Sequence, residues 1–111
     1  MQTHTDALKH LLIKGKHCAD DAMKLAMSDT DDKPYVTLNY VSQCLSYVNA
    51  ARSIYYSNLN DHENEDIEQL FILFDRFVDE IMDSYETDHS KQHTLIYFQN
   101  MKDLYSTLFP S

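Results

Sequence analysis

Between Pro34 and Asn60 apolar residues recur at steps of three, four or seven: Leu38, Val41, Leu45, Val48, Tyr55 and Leu59. That spacing gathers side chains on one side of an α-helix. A second line, Tyr40, Cys44, Tyr47, Ala51 and Ile54, runs beside it and widens the apolar sector beyond that of an ordinary surface helix. The segment therefore predicts a helix with at least two neighbours. Its single charged side chain, Arg52, falls in register with the first line. An isolated buried charge is costly, so Arg52 is expected to reach water past its own stem or to meet a carboxylate in a structural ion pair.

Three other segments carry the same period. From about residue 6 to 27 the inward line is Leu8, Leu11, Leu12, Gly15, Ala19, Ala22 and Ala26, bulky at first and then small. Glycine inside a helix costs about 1 kcal/mol relative to alanine, so Gly15 is expected to admit a closely packed neighbour. The third segment, about 61 to 86, has Ile67, Leu70, Phe71, Phe74, Phe77, Val78, Ile81 and Tyr85 on one face, and its phenylalanines are expected to fill the small line of the first. Asn60-Asp61-His62-Glu63 has capping-box spacing and would start that helix. A fourth helix, about 91 to 108 after Ser90, carries Leu95, Phe98, Met101, Tyr105 and Leu108. With helices at about 6–27, 34–58, 61–86 and 91–108 and short connectors, residues 1–111 predict a single all-α domain, an antiparallel four-helix bundle.

Two faces remain after the core is assigned. On the second helix Asn39, Ser42, Gln43, Ser46, Asn49, Ala50, Ser53 and Ser57 are polar or small but uncharged, whereas exposed helix faces usually carry Lys and Glu. Small residues let another helix approach, and Ser and Asn hydrogen-bond across such a contact. Ser42, Ser46, Tyr47, Asn49 and Ser53 are therefore candidate residues for a protein partner or for self-association as a homodimer. The third helix presents Glu65, Glu68, Asp75, Asp79, Glu80, Asp83 and Glu86 outward. Of the −9 net charge, the stretch Asp61–Asp88 holds eleven carboxylates against Arg76 alone. Glu68, Asp75, Asp79 and Asp83 form the acidic face, and Ile72 and Leu73 on or beside it are a second candidate contact.

Composition narrows the chemistry. A single glycine excludes a phosphate-binding loop, and neither G-x-S-x-G nor C-x-x-C occurs. Cys18 and Cys44 lack paired ligand spacing and are expected as free thiols in a reducing compartment. Glu86, His89 and His93 have helical spacing, but a di-metal bundle site needs such a motif on two helices with further inward carboxylates, so no metal or other cofactor is expected. Cys18 adjoins His17, which on a helix points about 100° away, and no catalytic pair results. The chain is expected not to be an enzyme. The acidic balance disfavours direct nucleic-acid binding but would suit a decoy that offers carboxylates to a nucleic-acid-binding protein. No segment approaches 18 apolar residues in a row and the start has no secretory pattern, which predicts a cytoplasmic protein without a membrane span.

Leu11-Leu12-Ile13-Lys14-Gly15 with Ala22, and Leu70-x-x-Leu73-Phe74-Asp75-Arg76-Phe77 with the downstream Asp88, resemble the flagellin-specific export chaperones, small helical bundles that hold a disordered client segment. The chain departs from that family in lacking a Ser-Pro before the first long helix and in having Ser84-Tyr85 where Ala-Asn is usual. The resemblance implies a chaperone or adaptor role and assigns no binding residues. Together these features predict a non-enzymatic interaction module working through the neutral face of the second helix, with the acidic decoy as the alternative.

Overall fold

In the computed structural model, residues 4–27, 34–57, 64–86 and 92–109 are described, and their regular structure is entirely helical. α1 spans His4–Ala26, α2 Pro34–Ser57, α3 Glu65–Glu86 and α4 Gln92–Leu108. Leu59, Ser90, the Asn60–Glu63 capping box and the side chain of Tyr85 lie outside the described residues. The start of α3 differs from expectation because Asn64 caps it: its Oδ1 accepts the amides of Asp66 at 2.8 Å and Ile67 at 3.3 Å. Asn64 N donates to Tyr55 Oη at 2.8 Å, and the same hydroxyl lies 3.1 Å from Asn64 O and 3.0 Å from Glu68 Oε2. One phenol thus ties the end of α2 to the start of α3.

Neighbouring helices run in opposite directions around the bundle. Lys14 meets Tyr47 and Cys18 meets Gln43, so residue numbers rise on α1 as they fall on α2. Arg52 with Asp75 and Tyr55 with Glu68 show the same for α2 and α3. Between α3 and α4 the connector, residues 87–91, reaches about 20 Å at full extension, too short to return along a 22-residue helix of about 33 Å. Lys16 over the Tyr105 ring closes the ring of four from α1 to α4. Among the described residues no helix is long and apolar enough to cross a membrane.

The core consists of two hairpins pressed together. α1 and α2 approach closely at Gly15, which lies against Cys44 and Val48, and Ala19, Ala22 and Ala51 are also buried. A Cβ on Gly15 would lie 3.0 Å from Val48 Cγ2, 3.6 Å from Cys44 O and 3.7 Å from Tyr47 Cβ. The helix that Gly15 admits is therefore α2, not the phenylalanine-bearing α3. Rings need room that a close helix pair does not have. Phe71 instead meets Tyr55 of α2 with ring centroids 5.7 Å apart, Phe77 meets Phe98 of α4 at 5.6 Å, and Phe74 is fully buried.

Two helices are rotated slightly from expectation. On α2 the buried residues are Thr37, Val41, Cys44, Val48, Ala51 and Tyr55, a line between the two expected ones, with Leu38, Tyr40, Leu45, Tyr47 and Ile54 partly buried on its shoulders. On α4 the buried line is Thr94, Phe98, Met101 and Tyr105, while Leu95, expected inward, is 42% exposed. Leu95 stands about 100° round the helix from Thr94, and Phe98 and Met101 set which of the two points in.

Candidate functional site

The neutral face of α2 lies along the outside of the bundle. Asn39, Ser42, Gln43, Ser46, Asn49, Ala50, Ser53 and Ser57 are all exposed. Its formation follows from the buried line: once residues 37, 41, 44, 48, 51 and 55 face the core, residues 39, 42, 46, 49 and 53 point away from it. Ser46 Oγ donates to the Ser42 carbonyl oxygen at 3.2 Å, which holds that hydroxyl against its own helix. Tyr47 is not part of this row. It is half-buried on the α1 shoulder, with the Lys14 ammonium 5.7 Å from its ring centroid.

The 3-4 spacing of the exposed row extends further than its serines and asparagines suggested. Tyr35 is 68% exposed and Tyr56 is 51% exposed, and together they bracket the row as positions 35, 39, 42, 46, 49, 53 and 56. Both tyrosines were missed in the sequence because an apolar ring at helical spacing is ordinarily core. Continuing the Asn39–Ser53 spacing by one step each way would have found them.

On the α3 side the row is bounded by Arg52, whose Nη2 lies 2.8 Å from Asp75 Oδ1 and whose guanidinium carbon sits 5.3 Å from the Phe71 ring centroid. The planar guanidinium is thus held by a carboxylate at its edge and a ring at its face. This pair divides the acidic face. Glu68, bonded to Tyr55, and Asp75, bonded to Arg52, turn toward α2 and are partly buried, whereas Asp79 and Asp83 are exposed. Of the expected ridge of Asp75, Asp79 and Asp83, Asp75 is thus engaged by Arg52, while Asp79 and Asp83 are exposed.

The apolar pair beside the acidic face also separates. Ile72 is 44% exposed, but Leu73 is 8% exposed and belongs to the core. Leu73 is four residues before Phe77 and so shares its face, the face on which Phe77 meets Phe98 of α4. Leu73 is therefore a core residue and offers no contact surface.

The described residues hold no cluster of three or more His, Cys, Asp and Glu arranged to bind a metal ion; His89 and the side chain of Glu86 lie outside them. Cys18 and Cys44 are free thiols. Burial pushes the Cys44 thiol up to about 12. Burial, then Asp21, also raises Cys18, with Lys14 opposing. Neither is poised as a thiolate nucleophile. Scans against protein-family models, characterised proteins and solved structures found no match to the chain.

Proposed function

We propose that this chain is a non-enzymatic protein-interaction module, a small acidic adaptor or chaperone that docks a helical segment on the outer face of α2. The observation that carries this reading is the uncharged exposed row from Asn39 to Ser53 on a chain of net charge −9. Helix-on-helix docking uses small and hydrogen-bonding residues of this kind. The resemblance to export chaperones points the same way, toward a client that folds or is held on the bundle. The test uses the tagged chain and its Ser46→Arg/Asn49→Arg variant as baits at low and high salt. The expected result is partner capture that survives high salt and is lost in the variant, with unchanged helical content. Equal capture by both baits would rule the reading out.

A second reading, an acidic decoy for a basic protein, draws on Asp79 and Asp83, exposed one turn apart on α3. Capture through them would weaken steeply as salt rises. It would be abolished by Asp79→Lys/Asp83→Lys and left intact by Ser46→Arg.

A further inference from the structure

Seven of the ten exposed positions of α2 form a row that is self-complementary when read against its own reverse. Taken from the amino end they are Tyr35, Asn39, Ser42, Ser46, Asn49, Ser53 and Tyr56. If a two-fold axis passes beside Ser46, Asn39 comes level with Ser53 of the second copy and Ser42 comes level, within one residue, with Asn49 of the second copy. Tyr35 likewise meets Tyr56 of the second copy, and Ser46 meets its own equivalent. Each amide is thus set beside a small hydroxyl, and each exposed ring beside another ring. An isologous interface requires this of a single surface, since one patch must serve as both partners.

Charge points to the same face. Two copies each carrying −9 repel, so contact favours a surface without charge. The one charged side chain of α2, Arg52, is half-buried and paired with Asp75, so the outer row carries no charge, whereas among the described residues α1 presents Lys9, Lys14, Asp21 and Lys24, α3 presents Glu65, Asp66, Asp79 and Asp83, and α4 presents Asp103. The row from residue 35 to 56 is about 32 Å long. A single helix pair of that length falls at the low end of interface sizes, where association is reversible.

We propose that the occupant of the α2 face is a second copy of this chain, docked antiparallel about a two-fold axis at Ser46; this rests on the reading of α2 as the docking face.

Sedimentation equilibrium of the full chain over a wide concentration range tests this. The expected mass rises from 13.0 kDa toward twice that value and is not reduced by high salt. Ser46→Arg, which sets two like charges on the axis, weakens association by about tenfold or more, while circular dichroism of the exposed-site variant stays unchanged. Direction is read by oxidation in a Cys18→Ala background. Ser46→Cys cross-links to its equivalent, as helices in close contact bring the two Cα atoms within disulfide range. Tyr35→Cys does not, since antiparallel pairing separates the equivalents by about 33 Å along the helix. A monomer at every concentration, a dimer indifferent to Ser46→Arg, or cross-linking at Tyr35→Cys would each overturn the proposal. A monomer that still captures partners through Ser46 and Asn49 would overturn self-pairing alone. The docking reading fails separately, on equal capture by the wild type and the Ser46→Arg/Asn49→Arg variant.

Discussion

Cys44 is buried between α1 and α2, and that burial raises its thiol from the usual 9.0 to about 12. A thiol that ionises later in the folded chain than in the unfolded one binds more protons when folded between those two values. Stability is therefore undiminished below about pH 9 and declines as pH rises from about 9 toward 12. Thermal melts at increasing alkalinity should show this decline, and Cys44→Ala should reduce its steepness. Two buried hydroxyls make a different case. Thr37 Oγ1 and Thr94 Oγ1 have no hydrogen-bond partner among the described residues, in contrast to Ser84, whose hydroxyl donates to the Ile81 carbonyl oxygen at 2.7 Å. An unsatisfied buried hydroxyl costs about 1–3 kcal/mol. Thr37→Val and Thr94→Val should each raise stability by about 1 kcal/mol in denaturant titrations, whereas Ser84→Ala should not.

Pairs of helices meet according to side-chain size. Gly15 permits the approach of Val48, whose branched side chain has little rotamer freedom in a helix. Gly15→Ala should then gain less than the roughly 1 kcal/mol that helix propensity offers, because its methyl crowds Val48 Cγ2. In a Val48→Ala background the same substitution should recover that gain. Additive effects in this double-mutant cycle would contradict the packing account. The helix ends are held by polar contacts of shorter range. Tyr55, Asn64 and Glu68 join α2 to α3 through one phenol, and Arg52 with Asp75 repeats the link farther from the turn. Arg52 and Asp75 are partly exposed, so solvent limits their pair to about 1 kcal/mol or less, and their geometry serves alignment more than stability.

Across the whole molecule, charge is segregated. Carboxylates crowd the outer side of α3, and the outer row of α2 has none among its described residues. This makes the sign of a salt effect diagnostic. Salt screens the mutual repulsion of two acidic copies, so association through α2 should hold or tighten as ionic strength rises. A complex made through Asp79 and Asp83 with a basic partner should loosen instead. Sedimentation of the chain with and without partner at two ionic strengths separates the cases.

The helical bundle, most core residues of α1 and α3 and the neutrality of the outer α2 row were legible in the sequence, and for Arg52 the sequence left two outcomes, water or a carboxylate, of which the second is found. Periodicity and charge are local properties, and a 3.6-residue repeat states which residues share a face. Which helix a face meets is not local. That Gly15 admits α2, that Leu73 is covered while Leu95 is not, and that Asp75 of the acidic ridge is the carboxylate that pairs with Arg52 were decided by tertiary packing. Distances between helix axes depend on the sizes of side chains from all four helices at once. The register of Tyr35 and Tyr56 with the serine and asparagine row was written in the chain, yet only burial of the opposite line identified those tyrosines as surface.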